Sequence, residues 1–397
     1  MVEDLKLDSW RLLHGTLHHS QTLQDQQAHG SEPSPDSDEI AKEIGEAYGW
    51  QVGQKKFVPD GSPRTMLVRT DRPKLGKGSV GEVDEVRCVG NVICTLARKR
   101  VAIYPQRRRA MRQLNLIRNE ITNTKRLRHP HIVEVVGSYQ DGSGNRRHFN
   151  VLMHPVGDND LSVFLEIECK CIQEDIISEK SKMYRAWIRL WFKCLSSALA
   201  YMHSQRIHHE GIKPRNIIHR GDKVFFLQIL ALPEDLKSVR THRRAILRRP
   251  VAYLQRLRHF PTADGKLERH GSKTDVFSLG LVFVEMLTVI NASDIDSLQG
   301  FPEGHNEFGD TWEYHRVVDL FAPWFQSLEG NAYSLTSFSV WQDYIEPIIR
   351  YKRQERPSVV QVARNLRGAW LGVISPGCEC EKVMLNALTE YEMDKYH

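Results

Sequence analysis

The stretch "LGKGSVGEV" constrains this chain most, because Gly76, Gly78 and Gly81 fall in the order G-x-G-x-x-G-x-V. Glycine lets backbone N–H groups approach phosphate oxygens with no Cβ in the way. Alone the string is weak, since dinucleotide-binding folds use a similar one and follow it with a helix. Here "GEVDEVRCVGNVICTLARKRVAI" follows, with apolar residues alternating as in strands. Two or three antiparallel strands are expected, turning at Gly90-Asn91, so the loop reads as a hairpin that folds over a nucleotide. A plain glycine-rich hairpin satisfies the same pattern.

The next residues narrow the choice. Lys99 lies on the following strand, in "LARK". Glu120 lies in "RNEI", inside a segment whose Met111, Leu114, Ile117 and Ile121 have helical spacing. A lysine held by a glutamate keeps its ammonium aimed at α- and β-phosphates. Either residue singly is a solvated surface charge; in the order loop, strand lysine, helix glutamate they form a set. "HIVEVVGSY" and "HFNVLMHPV" read as two further strands. Beyond Asp160 the pattern is mainly helical, led by "YRAWIRLWFKCLSSALAYMHSQ" and "KTDVFSLGLVFVEMLTVI".

In this order the residues resemble the eukaryotic protein kinase family over about residues 65 to 370. The family's His-Arg-Asp-x-Lys-Pro-x-Asn loop aligns with "HEGIKPRN", His209 to Asn216, and "TDVFSLG" and "RPS" place Asp275 and Arg356 at two further family positions. The resemblance implies an α+β, two-lobed fold: a small lobe with an antiparallel sheet and one helix, at 63–156, and a large, mainly helical lobe at 157–372. Residues 1–62 are then a disordered arm and 373–397 a C-terminal extension. It also implies an ATP site in which Gly76, Gly78, Gly81, Lys99 and Glu120 hold phosphates. Val83 and Ala97 would cover one face of adenine and Ile218 the other, with Met153 at the back. The hinge "VLMHPVGDNDL" would offer the His154 carbonyl and the Val156 N–H to adenine, Pro155 having no N–H to give.

Two departures follow. The family's catalytic aspartate, which orients the substrate hydroxyl, is Gly211 here, while Lys213 and Asn216 remain. Glu210 lies one residue early, and Asp222 falls in the turn after the strand. Second, the family's Asp-Phe-Gly, whose aspartate chelates magnesium, is "QIL", with Gln228 in the metal position. A neutral amide is a poor ligand for a hard dication, so Asn216 and Gln228 leave magnesium open. A gene-model error would explain the second departure but not Gly211. The Ala-Pro-Glu signature is also missing; Gln255 is the stand-in for a buried partner of Arg356.

The expectation is therefore a serine/threonine-like kinase domain that binds ATP, transfers phosphate weakly or not at all, and acts through protein partners. The alternatives are an active serine/threonine kinase with displaced carboxylates, such as Glu210 or Asp235, and a nucleotide-free scaffold. Residues 237–259 carry Lys237, Arg240, Arg243, Arg244, Arg248, Arg249, Arg256 and Arg258 with no acid among them. That segment suits an acidic or phosphorylated protein partner. Nucleic acid is disfavoured, because aromatics are sparse there beyond Tyr253 and Phe260.

Bulk composition fits. The 397 residues include 41% apolar residues, enough for a core, and a formal charge of +6 is mild. The cysteines, seven in number, show no small-domain disulfide spacing and point to a reducing compartment. The pairs Cys169/Cys171 and Cys378/Cys380 read as free thiols rather than a metal site, each lacking a nearby second pair. No apolar run reaches the roughly 18 residues of a membrane span, and the acidic start lacks a signal-peptide core, so an intracellular protein, cytoplasmic or nuclear, is expected.

Overall fold

The computed structural model describes residues 67–70, 75–77, 81–88, 95–141, 147–226, 271–301, 318–328, 337–368, 378–380 and 382–386. The N-terminal arm, Gly78, the Gly90-Asn91 turn, Gln228, Gln255 and the basic segment 237–259 lie outside them.

The alternating apolar residues build a six-stranded antiparallel sheet from β1 (Leu67–Arg69), β2 (Gly76–Lys77), β3 (Glu82–Cys88), β4 (Thr95–Ala102), β5 (Glu134–Asp141) and β6 (His148–His154). Its order is β1-β3-β4-β6-β5, with β2 paired to β3. β3 and β4 pair directly, so "EVDEVRC" and "TLARKRVA" are two strands of one ladder. The register puts Asp84 opposite Arg98, and the buried carboxylate takes two bonds from that guanidinium, 2.6 and 3.0 Å long. An in-register, two-pronged pair of this kind resists a one-residue slip, which would turn one partner to the opposite face and part the two charges.

One helix, α1 (Arg107–Thr124), accompanies the sheet. Ile117 and Ile121 face inward as their spacing predicts, and Leu114 is partly buried. Met111 is the exception: it is 57% exposed, and the inward positions of that turn belong to Ala110 and Gln113. Gln113 tolerates burial because its amide donates to the Ala102 carbonyl at 2.9 Å and accepts from the Tyr104 N–H at 3.1 Å.

After β6, residues 161–174 run as broken helical turns into α2 (Glu179–Ser204). A small sheet follows, ordered β7 (Asn159–Asp160), β8 (Ile217–Arg220), β9 (Lys223–Phe226), and then α3 (Ser272–Ile290) and α4 (Val359–Gly368). α3 is buried almost all round and α2 along its C-terminal half, which is why their sequences read as near-continuous apolar runs.

Two apolar clusters result. The smaller joins sheet and α1 and reaches across to Ile218 and Phe225; the larger packs α2, α3 and α4. Within the segment expected to be an extension, Cys380 and Met384 are buried in the latter. The fold is thus α+β, an antiparallel sheet with a helix beside a mainly helical body. Among the described residues, no helix is long and apolar enough to cross a membrane.

Candidate functional site

β4 carries Lys99 between Val83 of β3 and Val151 of β6. Its side chain is buried, and burial draws its ammonium down to about 8 from an ordinary value near 10.5, while the charge of Glu120 on α1 pulls the other way. Lys99 is thus a buried cation set against the charge of one carboxylate. Around it, Ala97, Met153 and Val156 are buried in the smaller cluster, with Val83 and Ile218 packed against them. Sheet residues and a residue of β8 therefore meet in one apolar cluster. Five of the residues assigned to an adenine site by resemblance, Val83, Ala97, Met153, Val156 and Ile218, share that cluster, and His154 ends β6.

The glycines divide. A Cβ on Gly81 would lie 2.1 Å from the Arg100 carbonyl oxygen, so glycine is required there by the chain's own sheet. A Cβ on Gly76 would meet nothing within 4 Å, which leaves its backbone facing open space. Gly157, unremarked in the sequence, follows the hinge: a Cβ there would lie 2.9 Å from Ile218 Cβ. Glycine at that position lets the hinge run directly against the residue expected beneath adenine.

The loop His208–Asn216 is held from below. Asp275, in the first turn of α3, is buried and accepts from the N–H of His209 at 2.8 Å and of Glu210 at 2.9 Å. His203, at the end of α2, lies 3.0 Å from the same carboxylate. Burial alone would raise the Asp275 pKa; the His203 bond and charge, His209 and its N–H outweigh it and hold the carboxyl below its usual range. Turning two consecutive N–H groups onto one carboxylate requires the left-handed backbone of Glu210, with φ of 55°. Glu210 itself is exposed.

Above this clamp the chemistry thins. Asn216 donates its amide N–H to the Gly211 carbonyl at 2.6 Å, and the Asn216 N–H bonds the Lys213 carbonyl at 2.9 Å. The loop is thereby closed on itself with Lys213 at its edge. At Gly211 a Cβ would make only ordinary contacts, the nearest with Asn216 Nδ2 at 3.5 Å, and φ is not positive. Nothing steric demands glycine where the family has its base. Asp222 sits in the β8–β9 turn, its carbonyl accepting from Trp191 Nε1 at 2.6 Å. The positions that resemblance assigns to magnesium hold two neutral amides, Asn216 and Gln228, and no carboxylate. That donor set does not fit a protein-held magnesium ion.

Backbone carbonyls hold Arg356. Its guanidinium, 3% exposed, donates to the carbonyls of Arg350, Lys273 and Tyr351 at 2.6–3.1 Å and lies 4.4 Å above the Phe277 ring. Burial, with the charge of Arg353 nearby, lowers its pKa to about 10.

A sheet-and-helix lobe with a buried strand lysine thus stands beside a helical body whose loop is clamped onto a buried aspartate. Consistent with this, the family model for the protein kinase domain matches residues 69–230. The matched stretch, which is less than half of the chain, resembles the eukaryotic protein kinase family. It is 28% identical to calcium-dependent protein kinase 5 of Plasmodium berghei (strain Anka) over 169 residues, 43% of this chain and 26% of that protein. It is 25% identical to serine/threonine-protein kinase pak-2 of Caenorhabditis elegans over 235 residues, 58% and 38% of the two. To Aurora kinase of Schizosaccharomyces pombe it is 24% identical over 251 residues, 63% and 58% of the two. The chain thus spans well under half the length of the first two relatives.

Proposed function

We propose that this cleft binds ATP without a protein-held metal ion, transfers its γ-phosphate slowly or not at all, and serves to dock protein partners. The observation that carries this reading is the pairing of a buried, glutamate-faced Lys99 with a Gly211 that has no side chain. A buried ammonium costs folding free energy, and a cleft with no anion to hold has no use for it. Phosphoryl transfer, by contrast, depends on positioning the acceptor and neutralising charge, and both the base and the metal carboxylate are missing. The basic segment 237–259 gives an acidic or phosphorylated partner a landing site.

Calorimetric titration with ATP, in magnesium and then in EDTA, tests the reading on wild type and Lys99→Met. Saturable binding that survives EDTA and is lost in the variant supports it. No binding at millimolar ATP sinks the nucleotide site and leaves a scaffold. Phosphate transfer at ordinary kinase rates, abolished by Lys99→Met, sinks the impaired-transfer half.

A further inference from the structure

His131, between α1 and β5, meets Cys194 of α2 and the late pair Cys378 and Cys380 in one place. Their four ligand atoms all lie within 4.8 Å of one another, and His131 Nε2 is 3.1 Å from Cys378 Sγ. This corrects the view of Cys378/Cys380 as thiols without companions, since the companions are remote in sequence. We propose that these residues bind one structural zinc ion through a Cys3His set.

A tetrahedral zinc with bonds of about 2.0–2.3 Å spaces its ligand atoms roughly 3.5–3.8 Å apart, a separation that the observed limits bracket. Buried cysteine is by itself ordinary, because a thiol packs as a small apolar group. The histidine is what an apolar cluster does not account for. Its Nδ1 lies 2.6 Å from the Val224 carbonyl, which can only accept, so Nδ1 carries the proton and Nε2 turns its lone pair toward the sulfurs. Metal-ligating histidines are oriented in this way by a backbone acceptor on the far ring nitrogen. The Cys380 backbone is held too: Ser197, one turn beyond Cys194, donates to the Cys380 carbonyl at 2.9 Å, and His129 Nε2 lies 3.3 Å from that hydroxyl. His131, Cys194 and Cys380 are buried while Cys378 is partly exposed, which gives a closed shell with one edge for entry.

The ion would join segments that no disulfide or short loop connects. His131 and Cys378 are 247 residues apart. The His131 carbonyl also accepts from the Phe226 N–H at 2.9 Å, so the site fastens the C-terminal segment, α2 and the end of β9 together. Bonds across so long a loop restrict the unfolded chain most. All four ligands serve structure, leaving no position for substrate.

The test uses the full chain purified under reducing conditions, with zinc measured by mass spectrometry and its shell by X-ray absorption. A single zinc per chain with three sulfurs and one nitrogen is expected, lost in Cys378→Ser/Cys380→Ser and kept in Cys169→Ser/Cys171→Ser. Cobalt in its place should show the visible bands of a tetrahedral thiolate site. His131→Cys, which retains four ligands and so guards against a folding failure of the serine variant, should shift the shell to four sulfurs. Absence of zinc after reconstitution with zinc chloride, a shell without sulfur, an unchanged shell in His131→Cys, or a disulfide involving Cys194 would overturn the assignment.

Discussion

On the sheet side of the cleft, Lys99 and Glu120 keep two opposite charges beside an apolar space, one of them buried in the protein interior. On the helical side, the loop bearing Gly211 is clamped by a buried carboxylate yet presents little chemistry. Both sides retain costly electrostatics, but for different ends. The sheet side sets its buried cation against one carboxylate, whereas the helical side closes its charge internally with His203 and two N–H groups. The difference teaches that a loop can keep its architecture after losing its reactive group, because the residues that hold its shape are not those that react.

Breaking the clamp should have the largest effect. Asp275→Ala strands two backbone N–H groups and His203, and a loss of about 3–5 kcal/mol is expected in urea unfolding at neutral pH. Because the folded carboxyl titrates below its unfolded value, this contribution is present above roughly pH 4. It disappears as the pH falls through the folded value, so the difference between variant and wild type should shrink in acid.

Lys99 should behave in the opposite sense. With a folded pKa of about 8 against 10.5 unfolded, the unfolded chain holds its proton more tightly. The cost is full below 8 and fades toward 10.5. Lys99→Met should therefore stabilise the fold at pH 7, by up to about 3 kcal/mol, and the gain should vanish near pH 10.5. Wild-type ATP affinity should fall as pH rises through 8, with the ammonium. A destabilised Lys99→Met would mark the lysine as structural and erase the contrast between the two sides.

Restoring the carboxylates tests the other side. Gly211→Asp/Gln228→Asp should raise phosphotransfer to a generic protein substrate by roughly 100-fold or more, read with radiolabelled ATP. An unchanged rate would mean that the helical side lacks more than its acids. Smallest is the pair of glycine substitutions. Gly81→Ala should cost about 1–3 kcal/mol through its clash with the Arg100 carbonyl, while Gly76→Ala should leave the melting temperature unchanged.

Local periodicity revealed the sheet, α1, α2 and α3, because strands and helices bury residues at fixed spacings. It misplaced Met111, since an apolar side chain gave way to Gln113, whose burial depends on Ala102 and Tyr104 rather than on its own polarity. The carbonyl cage around Arg356 left no trace in sequence, because backbone oxygens carry no residue code. Gly157 and the His131–cysteine cluster were equally hidden. Each requires knowing which distant residue comes near, Ile218 in one case and the C-terminal segment in the other. Motif spacing located Lys99, Gly211 and Asn216; only the fold placed Asp275 beneath them.

The room left around Gly211 has a genetic consequence. Every glycine codon lies a single transition from a codon for aspartate or glutamate, and the nearest atom to a new Cβ there is 3.5 Å away. Neighbouring side chains have not grown into the gap, so no second mutation stands between this loop and an acidic one. A lineage carrying such a loop sits one nucleotide from regaining an acid at that position, and its persistence as glycine would have to be maintained by selection or by chance, not by packing.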